Sequence, residues 1–162
     1  MEPTTVLHVE NNEHTRGALA RLLDVDVNNR LGKYDYVSTG VVAGVQAKLK
    51  ADAVRLLILD LGLNVSWDNR HMIRVLRHLA LGEDVAESQG PRTCEAHGLA
   101  LLAHQHKVPL VVLTNYVDYL GGDPPLTETG LADVFCAKAI FRKNDAGIRE
   151  CAAWIKGKLG LT

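Results

Sequence analysis

The stretch VRLLILD (54–60) is a near-continuous apolar run closed by a lone carboxylate. Runs this dense in Val, Leu and Ile belong to strands covered on both faces, and in open parallel sheets ligands gather outside the carboxyl ends of such strands. Asp60 therefore stands where chemistry is normally done. Three other short runs end the same way: VLHV (6–9) before Glu10 and Asn11, VPLVVL (108–113) before Thr114, and AIF (139–141) shortly before Lys143. In one parallel sheet these four endings would meet at one edge.

Strand-like and helix-like patterns alternate along the chain with no internal repeat or low-complexity tract, which predicts an α/β fold with a parallel sheet. The first strand spans about 4–9, and Asn12 is placed to cap a helix whose inward stripe is Leu19, Leu22 and Leu23. NNRLGK (28–33) reads as a turn, YDYVS (34–38) as the second strand, and VVAGVQAKLK (41–50) as a helix with Val42, Val45 and Leu49 on one side. After the third strand, 54–59, the segment 68–82 reads as an extra helix with Met72, Val75, Leu76 and Leu79 facing inward, and 82–93 as a loop. A helix over 94–107 with Leu99, Leu102 and Ala103 inward leads to the fourth strand, 108–114. Asp123 and Pro124 look like the cap and first residue of the next helix, 123–138. AIFR (139–142) is the fifth strand, and a closing helix carries Ile148, Ala152, Ile155 and Leu159 three or four residues apart.

A length of 162 residues and a 47% hydrophobic fraction suit one domain over 1–162 with a real core. A net charge of −1 and a pI near 6.6 argue against a general electrostatic grip on nucleic acid. The start MEPTTVLHVE lacks the segments of a secretory signal, and no apolar run approaches a membrane span, so a cytoplasmic protein is expected. Cys94, Cys136 and Cys151 form no CxxC pair and read as buried thiols. His104 and His106 fall on different helix sides, so no zinc site is expected.

Four segments together resemble the receiver domains of two-component response regulators. VLHVENNEHTR (6–16) is similar to the family's first strand with its acidic pair, and LLILDLGLN (56–64) to the strand ending in the phosphorylated aspartate. VPLVVLTNY (108–116) is similar to the strand with the switch threonine, and AIFRKND (139–145) to the strand and turn with the site lysine. The resemblance covers nearly the whole chain except an insert at about 65–93. It implies a CheY-like, flavodoxin-like three-layer sandwich whose five parallel strands have the order 2-1-3-4-5. It also implies that Asp60 is the phosphoacceptor, that Thr114 donates its hydroxyl to the phosphoryl group, and that Lys143 pairs with Asp60 and then with a phosphoryl oxygen. Lys138 is the rival lysine. Lys143 is preferred because AIFRKND gives a short strand followed at once by a capped helix.

By the same resemblance Glu10, Asn11, Asp60 and the Gly62 carbonyl would hold Mg²⁺. Asn11 falls where the family has a ligating aspartate, and a neutral amide should weaken the site without abolishing it. Asn115 is bulkier than the family's small residue after the threonine, and Ile140 stands where many members carry an aromatic switch, with Phe141 adjacent. The implied partners are a histidine kinase or phosphotransfer protein and a downstream protein target. A homodimer would use the face formed by 123–138, 139–142 and 145–159.

Three classes of function follow. The first is a stand-alone phospho-receiver that signals through protein contacts and is not an enzyme. The second is a pseudo-receiver that binds partners or a second copy without phosphorylation. The third, a flavodoxin-like nucleotide or flavin binder, ranks last because ENNEHTRG (10–17) has no glycine-rich phosphate cradle. On the extra helix, Arg70, Arg74 and Arg77 with His71 and His78 make a basic side, read as a solvated face, with docking to an acidic partner or a nucleic-acid backbone as the alternative.

Overall fold

The computed structural model describes residues 2–63, 74, 76, 79, 95–116 and 127–161. In chain order the elements are β1 (Thr5–Val9), α1 (Glu13–Leu22), β2 (Arg30–Leu31), β3 (Tyr34–Thr39), α2 (Val45–Lys50), β4 (Val54–Leu59), α3 (Glu95–Gln105), β5 (Leu110–Thr114), α4 (Glu128–Val134), β6 (Ala139–Arg142) and α5 (Asp145–Leu159). One sheet has the order β2-β3-β1-β4-β5-β6. Its five long strands are mutually parallel in the expected order, and β2 is an antiparallel addition at the edge of β3.

The sheet therefore has six strands where five were expected. Residues 28–33 are not only a turn: Arg30 and Leu31 pair back onto Asp35 and Tyr34. Gly32 has φ +59°, as a two-residue hairpin loop with glycine first demands. Arg30 pairs with Asp35 and donates to the Lys33 carbonyl, which puts charge on a strand edge otherwise open to further pairing.

Side chains alternate across the sheet and build two cores. Val6, Tyr36, Leu56, Ile58, Val111 and Leu113 pack under α1 and α5, against Leu19, Leu23, Ile148, Cys151 and Ile155. Leu7, Val9, Leu57, Leu59 and Val112 pack on the opposite face with Leu49, Leu99, Ala103, Leu131 and Phe135. Strand β4 is buried on both faces, which is why its sequence reads as an almost unbroken apolar run.

Other differences from expectation have local causes. Leu22 is 38% exposed, because Leu19 and Leu23 already fill the inward stripe of α1 and Leu22 lies beside it. Helix α2 begins at Val45, since Gly44 has φ +86° and interrupts a right-handed helix; Val42, before it, still packs against the core. Helix α4 begins at Glu128, capped by the Thr127 hydroxyl accepting from Gly130 N; Asp123 and Pro124 lie outside the described residues. Cys151 is buried but Cys136 only half-buried, and Cys94 lies outside the described residues. Within 68–82, Leu76 is buried, Leu79 packs on the core and Arg74 is exposed; the rest of that segment, with Arg70 and Arg77, lies outside the description. No helix among the described residues is long and apolar enough to cross a membrane.

Candidate functional site

Parallel pairing brings the ends of four strands to one edge. Val9 pairs with Leu59, so Glu10 and Asp60 abut, and the Asp60 N–H donates to the Val9 carbonyl at 3.1 Å. Thr114 pairs with Arg142, and the Lys143 N–H donates to the Thr114 carbonyl at 3.3 Å. Continued alternation sends Glu10, Asp60 and Lys143 toward the α1/α5 layer and Thr114 toward the other.

Lys143 Nζ donates to Glu10 Oε1 at 2.8 Å and to Asp60 Oδ2 at 2.9 Å. The carboxylates are 0% and 3% exposed, so one ammonium bridges two buried acids, and the three groups follow three different strands. Lys138 is elsewhere: it precedes β6 at the amino-terminal edge, where it lines a cleft of about 620 Å³ with Lys107 and Lys158.

The turn that presents Lys143 is held tightly. The Asn144 side chain accepts from Gly147 N at 2.7 Å and caps α5. A Cβ at Gly147 would lie 2.0 Å from the Arg142 carbonyl oxygen, so the helix sits directly on the end of β6.

Two anions and one cation leave negative charge in excess. Burial, then the Asp60 charge, raise the Glu10 carboxyl to about 7, with Lys143 pulling the other way. Burial pulls the Lys143 ammonium down, but Asp60 and Glu10 outweigh it and raise it net. Glu10 Oε1 also accepts from Asn12 N at 2.9 Å. Glu10 Oε2 and Asp60 Oδ1 are buried without a hydrogen-bond partner among the described residues.

Thr114 is fully buried, and its hydroxyl oxygen accepts from Tyr116 N at 3.3 Å, which leaves its own hydrogen to donate. Asn11 lies at the surface, and its Nδ2 donates to the Gly62 carbonyl at 3.2 Å. In this arrangement Asn11 and Gly62 face each other as donor and acceptor rather than as two oxygen ligands. Tyr116, which the sequence did not single out, closes over Gly62: a Cβ there would meet its ring at 2.7 Å.

A second group missed in the sequence lies beneath the site. His8 shares a face with Glu10, is fully buried, and pairs through Nδ1 with the Tyr36 hydroxyl at 3.0 Å. A lone histidine in VLHV, in phase with Glu10, was the available signal. Arg16 Nη1 donates to the Glu10 carbonyl at 2.6 Å and secures the end of β1. Burial, then Lys143 and Arg16, lower the His8 imidazole to about 3 from an ordinary 6.5. With the folded value depressed, its contribution is complete above 6.5 and is lost as pH falls toward 3. Relative to His8→Gln, wild-type stability should drop by about 1.4 kcal/mol per pH unit over that window. Urea unfolding at pH 7 and pH 5 checks it; a constant difference between the two proteins would show that His8 does not fold as a buried neutral ring.

No protein-family model and no curated protein matches the sequence. Solved structures do match in fold. A response regulator from Thermotoga maritima aligns over 99% of this chain and 99% of its own, with 13% identity and a TM-score of 0.53. The fold is that of response-regulator receiver domains. The response regulator domain of Thermotoga maritima CheB aligns over 98% of this chain and 95% of its own, at 12% identity and a TM-score of 0.52. A de novo designed Rossmann 2x3 protein reaches a TM-score of 0.53 at 9% identity, over 98% of this chain and 92% of its own. Fold alone therefore assigns no activity, and function must be argued from the site.

Proposed function

We propose that this chain is a phospho-receiver: Asp60 accepts a phosphoryl group from a histidine kinase or phosphotransfer protein, and the modified domain signals through protein contacts. The observation that carries the reading is the Lys143 ammonium, held 2.9 Å from Asp60 and 2.8 Å from Glu10 at the carboxyl edge of the sheet. An Asp60 oxygen attacks phosphorus, the P–O bond forms as the P–N bond breaks, and the imidazole leaves with the electron pair. A carboxylate approaching a phosphoryl group is repelled by it, and positioned cations offset that repulsion. Lys143 is the cation the fold supplies, and Thr114 can donate its hydroxyl to a phosphoryl oxygen.

The residues fit a divalent cation, weakly. Glu10 Oε2 and Asp60 Oδ1 are buried oxygens without partners among the described residues, the donor type that Mg²⁺ takes. With Asn11 neutral they are the two anionic ligands of the expected set, and among the described residues no three His, Cys, Asp or Glu side chains are placed to hold a metal. When bound, the cation would neutralise charge on the carboxylates and the incoming phosphoryl oxygens.

The same reading makes the protein a cytoplasmic signalling domain rather than an enzyme, with α4, β6 and α5 as the face for a target or a second copy. A phosphorylation-independent interaction module is the second reading, favoured by the Asn11 amide facing the Gly62 carbonyl. Incubation with acetyl phosphate and Mg²⁺, followed by intact mass, separates them. The wild type is expected to gain the mass of one phosphoryl group and Asp60→Asn none. No gain, or a gain that survives Asp60→Asn, would defeat the first reading.

A further inference from the structure

We infer that the Asn11–Gly62 hydrogen bond is a clasp across the cation position, so that Asn11 sets cation affinity by competing for the Gly62 carbonyl rather than by ligating. The inference rests on the receiver reading of the site. Its geometry is specific: Asn11 and Gly62 are 51 residues apart in sequence and are joined where β1 and β4 end side by side, with Nδ2 to oxygen at 3.2 Å.

An amide can turn either its NH₂ or its oxygen toward a carbonyl. Two oxygens facing each other repel unless a cation lies between them, so without a cation the NH₂ orientation is favoured. In that orientation the Gly62 carbonyl is engaged and Asn11 contributes no oxygen. The Tyr116 ring lies against Gly62, where a Cβ would meet it at 2.7 Å, and the Tyr116 N–H donates to the Thr114 hydroxyl. Glu10 Oε2 and Asp60 Oδ1 remain without partners among the described residues. A cation drawn to them must first break the clasp. Asn11 lies at the surface, so it can swing out without disturbing the core.

The clasp inverts the usual expectation for removing a ligand. Asn11→Ala should bind Mn²⁺ more tightly than the wild type, by roughly three- to tenfold, the equivalent of one net hydrogen bond. Isothermal titration with Mn²⁺ alone would compare wild type, Asn11→Ala, Asn11→Asp and Asp60→Asn, with melting curves confirming the fold. Tighter binding by Asn11→Ala supports the clasp. Equal or weaker binding by Asn11→Ala, with wild-type binding still dependent on Asp60, overturns the clasp and leaves the receiver site standing. No Mn²⁺ binding by any variant, Asn11→Asp included, overturns both. The Asn11 side-chain NH₂ resonances give an independent readout. They should be slow to exchange without cation and shift on saturation with Mg²⁺; unchanged resonances would overturn the clasp.

Discussion

Lys143→Met is expected to lower unfolding free energy at pH 8 by about 3–5 kcal/mol, the cost of leaving buried charge uncompensated. Methionine keeps the apolar stem and removes only the ammonium, so packing changes little. Glu10 and Asp60 would then share a buried site with no cation between them. Unit charges about 4 Å apart interact by roughly 4 kcal/mol at an effective dielectric near 20, so both the lost attraction and the exposed repulsion are large. Asp60→Asn should recover much of the loss, because one neutralised acid ends the repulsion. At pH 5 the loss should shrink, since Glu10, already raised to about 7, is then protonated. Urea unfolding of the two single variants and the double variant measures the coupling. A loss below about 1 kcal/mol, the value of a solvated pair, would mean that the three groups are not a buried unit.

Gly147→Ala is expected to lower stability by about 2–3 kcal/mol through overpacking. The sign is the useful part. Alanine at an ordinary helical position is worth about 0.5–1 kcal/mol over glycine, so helix propensity alone predicts the opposite change. Here the added methyl would lie 2.0 Å from the Arg142 oxygen, closer than atoms can approach, and α5 must move off β6. Lys143 occupies the turn between them, so phosphorylation of Asp60 should fall as well. Chemical denaturation checks the first effect and acetyl phosphate labelling the second; a stabilised variant would remove Gly147 from the account.

What the sequence made legible was whatever follows from burial on two faces. VRLLIL could only be a central strand, and a polar residue ending such a strand must emerge at the sheet edge, so Asp60, Thr114 and Lys143 could be placed at one rim from local pattern. Lys143 could be separated from Lys138 on the same ground, because one follows the strand and the other precedes it. The missed features depend on contacts between distant segments. Nothing local in the sequence says that Tyr116 lies over Gly62, which way the Asn11 amide turns, or that Gly147 meets Arg142. His8 was readable in part, since the period of a strand puts it in phase with Glu10, but its partner Tyr36 comes from another strand. Helix starts were the weakest local inference: Gly44 could have been recognised as a break, whereas nothing local singled out Thr127, which caps α4.

The most direct test of the central claim, that Asp60 in the Lys143-bridged pair is a phosphoacceptor, is to map the modified residue. The protein would be treated with acetyl phosphate and Mg²⁺, reduced with borohydride to convert an aspartyl phosphate to homoserine, and sequenced by mass spectrometry. Homoserine at Asp60 and at no other acidic position is the predicted result. Unmodified Asp60, or homoserine at another aspartate, would contradict the account.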